Sequence, residues 1–142
     1  MVIGLDAACF DNIMPWVEKG ELPCLGRLLA NGTYSELRSI IPPSTPPAWT
    51  SLFTGKNPGK HGIFGFFKYS EDSYARKIVS SLDRRAKSVW EYLSEHGRTS
   101  IVINVPVTHP ARKMKGILIP GFMAPDTPMC FPSGILQELA KA

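Results

Sequence analysis

A carboxylate and a hydroxyl, each at the end of a predicted element, are the side chains of this sequence best placed to do chemistry. Asp6 ends the apolar run of residues 2–5, which predicts a buried strand, and Thr45 precedes Pro46 and Pro47, which fit the first turn of a helix. Thr45 is therefore the predicted N-cap, where free backbone amides and the helix dipole favour an anion such as phosphate.

Together, Asp6 and Thr45 suggest a hydroxyl nucleophile activated by a metal ion, which neither residue suggests alone. A divalent metal held by both would lower the pKa of the Thr45 hydroxyl and make it a nucleophile. Taken separately, each residue has a plainer interpretation, because threonine commonly only caps a helix and aspartate commonly accepts hydrogen bonds in a loop.

Helical and strand patterns alternate along the chain. Helical spacing covers residues 10–19, 25–30, 48–54, 86–96 and 132–142, strand patterns cover residues 2–5, 34–41, 99–105 and 116–119, and residues 64–69 with 75–82 fit a hairpin. This alternation predicts an α/β fold with a largely parallel sheet and helices on both faces. Ligands of such sheets gather at the carboxyl ends of the strands, so we expect Asp6 and Thr45 at one edge, within reach of one metal ion.

Three stretches, taken together, carry a family resemblance. They are Asp6 after its apolar strand, the run Pro-Pro-Ser-Thr-Pro-Pro-Ala-Trp-Thr-Ser at residues 42–51, and the run Thr-Gly-Lys-Asn-Pro-Gly-Lys-His-Gly-Ile at residues 54–63. The chain resembles the type I phosphodiesterase/nucleotide pyrophosphatase family of the alkaline phosphatase superfamily, and the likeness continues through residues 104–106 and 121–123. This resemblance implies that residues 1–142 are the N-terminal part of an alkaline-phosphatase-like domain.

The resemblance also implies roles for the two singled-out residues. In that family the aspartate that ends the first strand is a metal ligand, and the threonine that opens the next helix is the nucleophile that becomes phosphorylated or nucleotidylated. Those roles fall on Asp6 and Thr45, with Thr45 also a metal ligand. Two divalent metal ions are implied, with zinc expected and manganese or magnesium as alternatives, and the implied substrate is a phosphate ester or nucleotide-like small molecule.

The sequence departs from the family pattern at two positions. Ala7 stands where members often have glycine, a change that is tolerated unless the backbone there needs a positive φ. Ala48 stands where the nucleotide pyrophosphatase branch has an asparagine that holds a phosphoryl oxygen. Oxyanion stabilisation would then come from helix amides, metal ions, or Lys56 and Lys60, which we predict to bind substrate.

Three further residues follow from their positions. Asn104 and His109 come after the end of a predicted strand, and we expect them to line the substrate pocket. His61 closes residues 55–61, which superficially resemble a phosphate-binding loop, but the spacing is one residue short and no Ser or Thr follows Lys60. We interpret His61 as a hydrogen-bonded structural histidine and not as a metal ligand.

The sequence supplies too few metal ligands for a complete site. A two-metal centre needs about six side chains, mostly Asp and His, whereas Asp6 and Thr45 are the two visible here and no Asp-His dipeptide occurs. We therefore expect an incomplete hydrolase that exposes an unpaired strand edge and forms homo-oligomers. The alternative is a non-catalytic, truncated relative that acts as a binding or assembly module.

Composition excludes several other classes of protein. Sixteen Lys and Arg against twelve Asp and Glu give a net charge of +4 without a run of like charges, so no nucleic-acid partner is predicted. Three widely spaced cysteines suggest neither a disulfide framework nor a zinc knuckle. The absence of a signal-like N-terminus and of a long apolar stretch predicts a cytoplasmic protein without a membrane partner.

Overall fold

A computed structural model describes residues 1–70 and 72–141 of the chain. Positions 71 and 142, which fall in the predicted hairpin and in the last predicted helix, lie outside the described residues. The chain divides into two compact units, Met1–Ser39 and Ile40–Ala142. The prediction of a single domain over residues 1–142 stays a prediction.

The first unit contains two helices, α1 (Phe10–Glu18) and α2 (Pro23–Asn31), which contact each other. Both were predicted from their apolar spacing, and α2 begins at Pro23 because proline suits the first helical position. The rings of Phe10 and Tyr34 lie 5.3 Å apart between centroids. This unit has no fully buried residue in either helix.

The strands predicted for residues 2–5 and 34–41 were wrong for this structure, because neither segment makes the ladder hydrogen bonds that define a strand. Their apolar side chains are largely exposed, with Val2 at 90% and Leu37 at 87%. Apolar and alternating patterns favour a strand only where a neighbouring strand supplies hydrogen bonds and another layer covers the side chains. Neither condition is met for these two segments.

The second unit contains the remaining regular elements. In chain order they are α3 (Thr45–Thr54), α4 (Pro58–His61), β1 (Phe67–Ser70), β2 (Ser73–Ile78), a 3₁₀ helix (Ser81–Asp83), α5 (Val89–Glu95), β3 (Ser100–Ile103), β4 (Gly116–Ile119) and α6 (Ile135–Leu139). The structure confirms each of the predicted elements in this half of the chain, usually with shorter bounds. The one-turn helix α4 was not predicted.

Two small sheets form within the second unit. β1 and β2 make an antiparallel hairpin in which Phe67 lies opposite Ile78, with an irregularity at Tyr69 and Ser70. β3 and β4 are parallel, with Ser100 opposite Gly116. The predicted parallel sheet is therefore present as two strands.

The core lies where α3 and α5 meet β3 and β4. One cluster of buried side chains joins all four elements: Phe53, Trp90, Val102, Met114 and Leu118. The rings of Phe53 and Trp90 lie 4.8 Å apart, in the range where aromatic pairs stabilise a core beyond their buried area. A second cluster joins Ile63, Val79 and Val107. These contacts fix the orientation of α3 on the sheet.

The other side of β3 is not covered in the same way. Val102 is buried, but its neighbours Ile101 and Ile103, which point to the opposite face, are 66% and 60% exposed. The prediction of helices on both faces is therefore confirmed for one face of this two-stranded sheet. None of the helices among residues 1–70 and 72–141 combines the length and apolar character needed to cross a membrane.

Candidate active site

Asp6 lies in the first unit, in a turn before α1, with an exposed side chain. The next residue, Ala7, has a φ of 56°. This is the left-handed region, which costs a residue with a Cβ about 1–2 kcal/mol relative to ordinary backbone. The family's preference for glycine at this position thus has a physical reason, and the replacement is not as minor as the sequence suggested.

Ala7→Gly is expected to raise the free energy of unfolding by about 1 kcal/mol, because relief of the left-handed strain exceeds glycine's extra loss of backbone entropy. Chemical denaturation followed by circular dichroism measures the change. Ala8→Gly is the matched control, since Ala8 does not have a positive φ, and it should be neutral or destabilising. Equal effects of the two substitutions would contradict the assignment of strain to Ala7.

Thr45 is the first residue of α3 and is half-buried. The predicted N-cap is wrong by one position, because Ser44 has an extended backbone and its carbonyl accepts the first helical bond, from Ala48, at 3.0 Å. Thr45 therefore has helical backbone geometry. Its side chain still stands at the N-terminal end of the helix, where the dipole is positive.

The sequence of this helix start limits what its backbone can offer an anion. Pro46 and Pro47 are both buried in the first turn of α3, and proline carries no N–H. Helix N-termini bind phosphate through free N–H groups of the first turn. The prediction that helix amides stabilise an oxyanion is therefore weakened, and charge stabilisation must depend more on side chains or metal ions.

The two predicted substrate lysines lie beyond the other end of α3. Lys56 follows Gly55, the left-handed residue that ends the helix. A ten-residue helix is about 15 Å long, so the backbone of Lys56 lies about one helix length from Thr45, and its role in substrate binding stays a prediction. Lys60 is exposed in α4, which contacts α3, and its role in substrate binding stays a prediction.

Asn104 follows the last residue of β3, at the carboxyl edge of the parallel pair. It has a φ of 58°, and its Oδ1 accepts a hydrogen bond from the backbone N–H of Phe122 at 3.1 Å. Gly121 permits this contact, because a Cβ there would lie 1.6 Å from that oxygen. Asn104 thus joins the loops that follow β3 and β4, and its amide remains partly available at an exposed edge.

His61 is buried and hydrogen-bonded, as predicted for a structural histidine. Burial lowers the pKa of His61 below its ordinary value, the carbonyl of Pro47 opposes this change, and the nearby positive charge of Arg84 adds to it. The ring is therefore neutral at neutral pH.

A buried ion pair beside α5 was missed in the sequence analysis. Arg84 and Glu91 form a salt bridge of 2.7 Å, with side chains 3% and 15% exposed. Glu91 also accepts bonds from the backbone N–H and hydroxyl of Ser88, both at 2.6 Å. Burial alone would raise the pKa of Glu91, but the Ser88 bonds and Arg84 outweigh it and lower the pKa. The Ser88-x-x-Glu91 spacing of a capping box was the available sequence signal for this helix start.

A comparison with models of protein families identifies the family of this chain. The model of the type I phosphodiesterase / nucleotide pyrophosphatase family matches residues 1–138, nearly the whole chain. The chain belongs to this family. A comparison with curated proteins gives no significant match.

Solved structures related to this family member share its fold. Two crystal structures of phosphonoacetate hydrolase from Sinorhizobium meliloti 1021 match it at 20% identity, one in complex with phosphonoacetate (TM-score 0.62) and one with phosphonoformate (TM-score 0.63). The matches cover 75% and 76% of this chain but only 28% of each hydrolase chain. The sequence therefore spans a minor part of the length of these neighbours.

The described residues bring few metal donors together. Enzymes of the superfamily generally depend on divalent metals. Across the described part of the chain, however, no group of three or more His, Cys, Asp or Glu side chains is arranged to hold a metal ion. Asp6 and Thr45 belong to different units, so the prediction that they share one metal stays a prediction. The described residues do not by themselves fit a two-metal centre.

Proposed function

We propose that this chain is the nucleophile-bearing part of a metal-dependent hydrolase of phosphodiester or pyrophosphate bonds, with Thr45 as the nucleophile. The observation that carries the proposal is the family match over residues 1–138, and the position of Thr45 as the first residue of α3 supports the choice of this hydroxyl. Two features of the helix are consistent with that role: the hydroxyl is half-buried, and the following turn is enclosed.

The proposed reaction has two displacements at phosphorus. The Thr45 oxygen bonds to phosphorus as the bond to the leaving alcohol or phosphate breaks, and the hydroxyl proton passes to a base or to solvent. Water then attacks the phosphorylated or nucleotidylated threonine and restores the hydroxyl. Because Pro46 and Pro47 remove two helix amides, charge stabilisation would depend on side chains outside the helix backbone.

The proposed metal ligands on this chain are Asp6 and the Thr45 hydroxyl. Zinc is the expected ion, with manganese or magnesium as alternatives, and bound metal would supply Lewis-acid stabilisation of the phosphoryl oxygens. A two-metal centre would need further ligands besides these two. We assign no reaction step to the metal on the basis of two donors.

We propose that the parallel pair β3 and β4 is part of a larger sheet in the active enzyme. Additional layers would cover exposed apolar side chains such as Ile101 and Ile103, whose burial would stabilise the fold by about 25 cal/mol per Å². The bound phosphonates in the neighbouring hydrolase structures support a small phosphate-ester or nucleotide-like substrate, for which Lys60 and Asn104 are the proposed contacts.

The isolated chain is expected to show neither tight binding of two metals nor efficient phosphodiester turnover, because most ligands are missing. We expect it to self-associate through its exposed apolar surface. The test combines solution mass with hydrolysis of bis-p-nitrophenyl phosphate in the presence of zinc, manganese or magnesium. A monomer with metal-dependent and Thr45-dependent turnover would show that the chain is complete, contrary to the proposal.

Activity confined to an oligomer requires a further experiment. Mixing Asp6→Ala and Thr45→Ala chains recovers partial activity only if one chain completes the site of another. An oligomer without metal binding or turnover, also in a longer polypeptide, would instead favour the non-catalytic assembly module.

A further inference from the structure

His61 connects α3 to the chain that follows α4 through both of its ring nitrogens. The residue is 0% exposed. Its Nδ1 lies 3.1 Å from the backbone N–H of Ile63 and accepts that hydrogen bond. The neutral ring therefore carries its proton on Nε2, which donates to the Ser51 hydroxyl oxygen at 2.9 Å. The carbonyl of Pro47 is a second acceptor beside the ring.

The acceptors on α3 lie in the part of the helix that begins with Thr45. Pro47 is in the first turn, and Ser51 lies one turn further along on the same face. The N-cap residue Ser44 makes no side-chain capping bond. The Ser44 side chain therefore does not fix this helix start, whereas the imidazole makes a hydrogen bond from outside the helix to Ser51, in the second turn.

The surroundings of His61 keep its ring neutral and protonated at Nε2. Arg84 is the charged group that acts on it, and this cation disfavours a second proton on the ring. The carbonyl of His61 accepts the N–H of Arg85 at 2.9 Å, which holds its backbone as well. Because Nε2 already carries a proton, His61 cannot take one from Ser51, which excludes these two residues as a nucleophile and its base.

We propose that His61 is a positioning residue for Thr45: its Nε2–H fixes the first turns of α3, and its Nδ1 fixes the loop at Ile63, so that the helix start is held at one orientation. The contribution to catalysis rests on the proposed function, whereas the contribution to the order of α3 does not. His61 acts through the helix and does not contact the reacting atoms.

Two substitutions test the hydrogen bonds of the two ring nitrogens separately. In His61→Gln the side-chain amide N–H replaces the Nε2 donor but not the Nδ1 acceptor, and in His61→Asn the amide oxygen replaces the Nδ1 acceptor but not the Nε2 donor. Amide hydrogen exchange in the ¹⁵N-labelled chain then reports each partner. We expect His61→Asn to speed exchange in α3 at Thr50 and Ser51 by about tenfold, as for the loss of one hydrogen bond, and to leave Ile63 nearly unchanged.

His61→Gln should give the reverse pattern, with faster exchange at Ile63 and protection of α3 retained. A residue that merely fills space would produce the same pattern in both variants, and that result would overturn the proposal. Ser51→Ala, which keeps the buried ring in place, should also speed exchange in the first turns of α3, and unchanged exchange would count against the proposal. His96→Gln is the control, because His96 is exposed at the end of α5 and should alter neither site.

The tautomer gives an independent readout. The imidazole ¹⁵N spectrum should show a neutral ring protonated at Nε2, and a ring protonated at Nδ1 would overturn the proposal. In a catalytically complete enzyme, His61→Asn should lower kcat about tenfold with KM little changed, and His61→Gln should restore most of the loss. If Thr45-dependent turnover is absent altogether, the proposed function fails, while the exchange pattern still decides the role of His61 in α3.

Discussion

Replacing Thr45 by alanine is expected to abolish the covalent intermediate and to lower turnover by a factor on the order of a thousand or more in a catalytically complete enzyme containing this chain. The reason is that the alanine side chain has no oxygen to bond to phosphorus. Thr45 is half-buried at the first residue of α3 and lies outside both clusters of buried apolar side chains. Rapid quenching followed by mass spectrometry of the peptide that contains residue 45 measures the intermediate.

Two substitutions serve as controls for this experiment. Thr45→Ser keeps a hydroxyl and should retain a measurable intermediate on residue 45. Ser44→Ala removes the neighbouring hydroxyl, which makes no capping bond, and should leave the intermediate in place. A loss of the intermediate in Ser44→Ala but not in Thr45→Ala would transfer the nucleophile assignment to Ser44. Full turnover in Thr45→Ala would instead indicate direct attack by water.

The helices were predictable because the information that specifies them is local. Proline in the first turn and a following glycine were sufficient to place α3, which ends before Gly55, and α2, which ends before Gly32. The N-cap of α3 was misplaced by one residue, since Ser and Thr are both good capping residues and the first helical bond depends on backbone geometry. Local pattern thus identified the helix but not its first hydrogen bond.

The strands depended on information that is not local. Residues 116–119 were predicted correctly because β4 has β3 as a partner. Residues 2–5 have an equally apolar sequence, but a strand requires a neighbour to pair with, and these residues remain unpaired among those that the structure describes. Their apolar pattern is compatible with a strand, but these residues form no strand in this structure.

The predictions for the candidate site likewise depended on whether the information was local in the sequence. Thr45 was identified from its neighbours in sequence, and its place at the start of α3 agrees with that identification. The prediction for Lys56 took no account of the helix that separates it from Thr45, and it stays a prediction. The hydrogen bonds of His61 to Ser51 and of Arg84 to Glu91 were not foreseen, because they join residues whose proximity depends on the folded arrangement of loops and helices.

Removing the carboxylate of Glu91 is expected to destabilise the second unit strongly. Glu91→Ala should lower the free energy of unfolding by about 3–5 kcal/mol, because it leaves the guanidinium of Arg84 buried without its counter-charge. The side chain of Arg84 is only 3% exposed, and its Nε already lacks a hydrogen-bond partner among the described residues. The substitution also removes both bonds to Ser88 at the start of α5. Urea denaturation of the chain measures the loss.

The matched control is the exposed pair Lys87–Glu95, whose side chains are 53% and 49% exposed. Glu95→Ala should cost less than about 1 kcal/mol, because water solvates the lysine that remains. The double variant Arg84→Met/Glu91→Leu separates the cost of an unpaired buried charge from the cost of the lost bonds to Ser88. It should recover most of the stability, since paired apolar replacements of buried ions are often neutral. If the double variant is no more stable than Glu91→Ala, the cost lies in the capping bonds to Ser88 and not in the unpaired charge of Arg84.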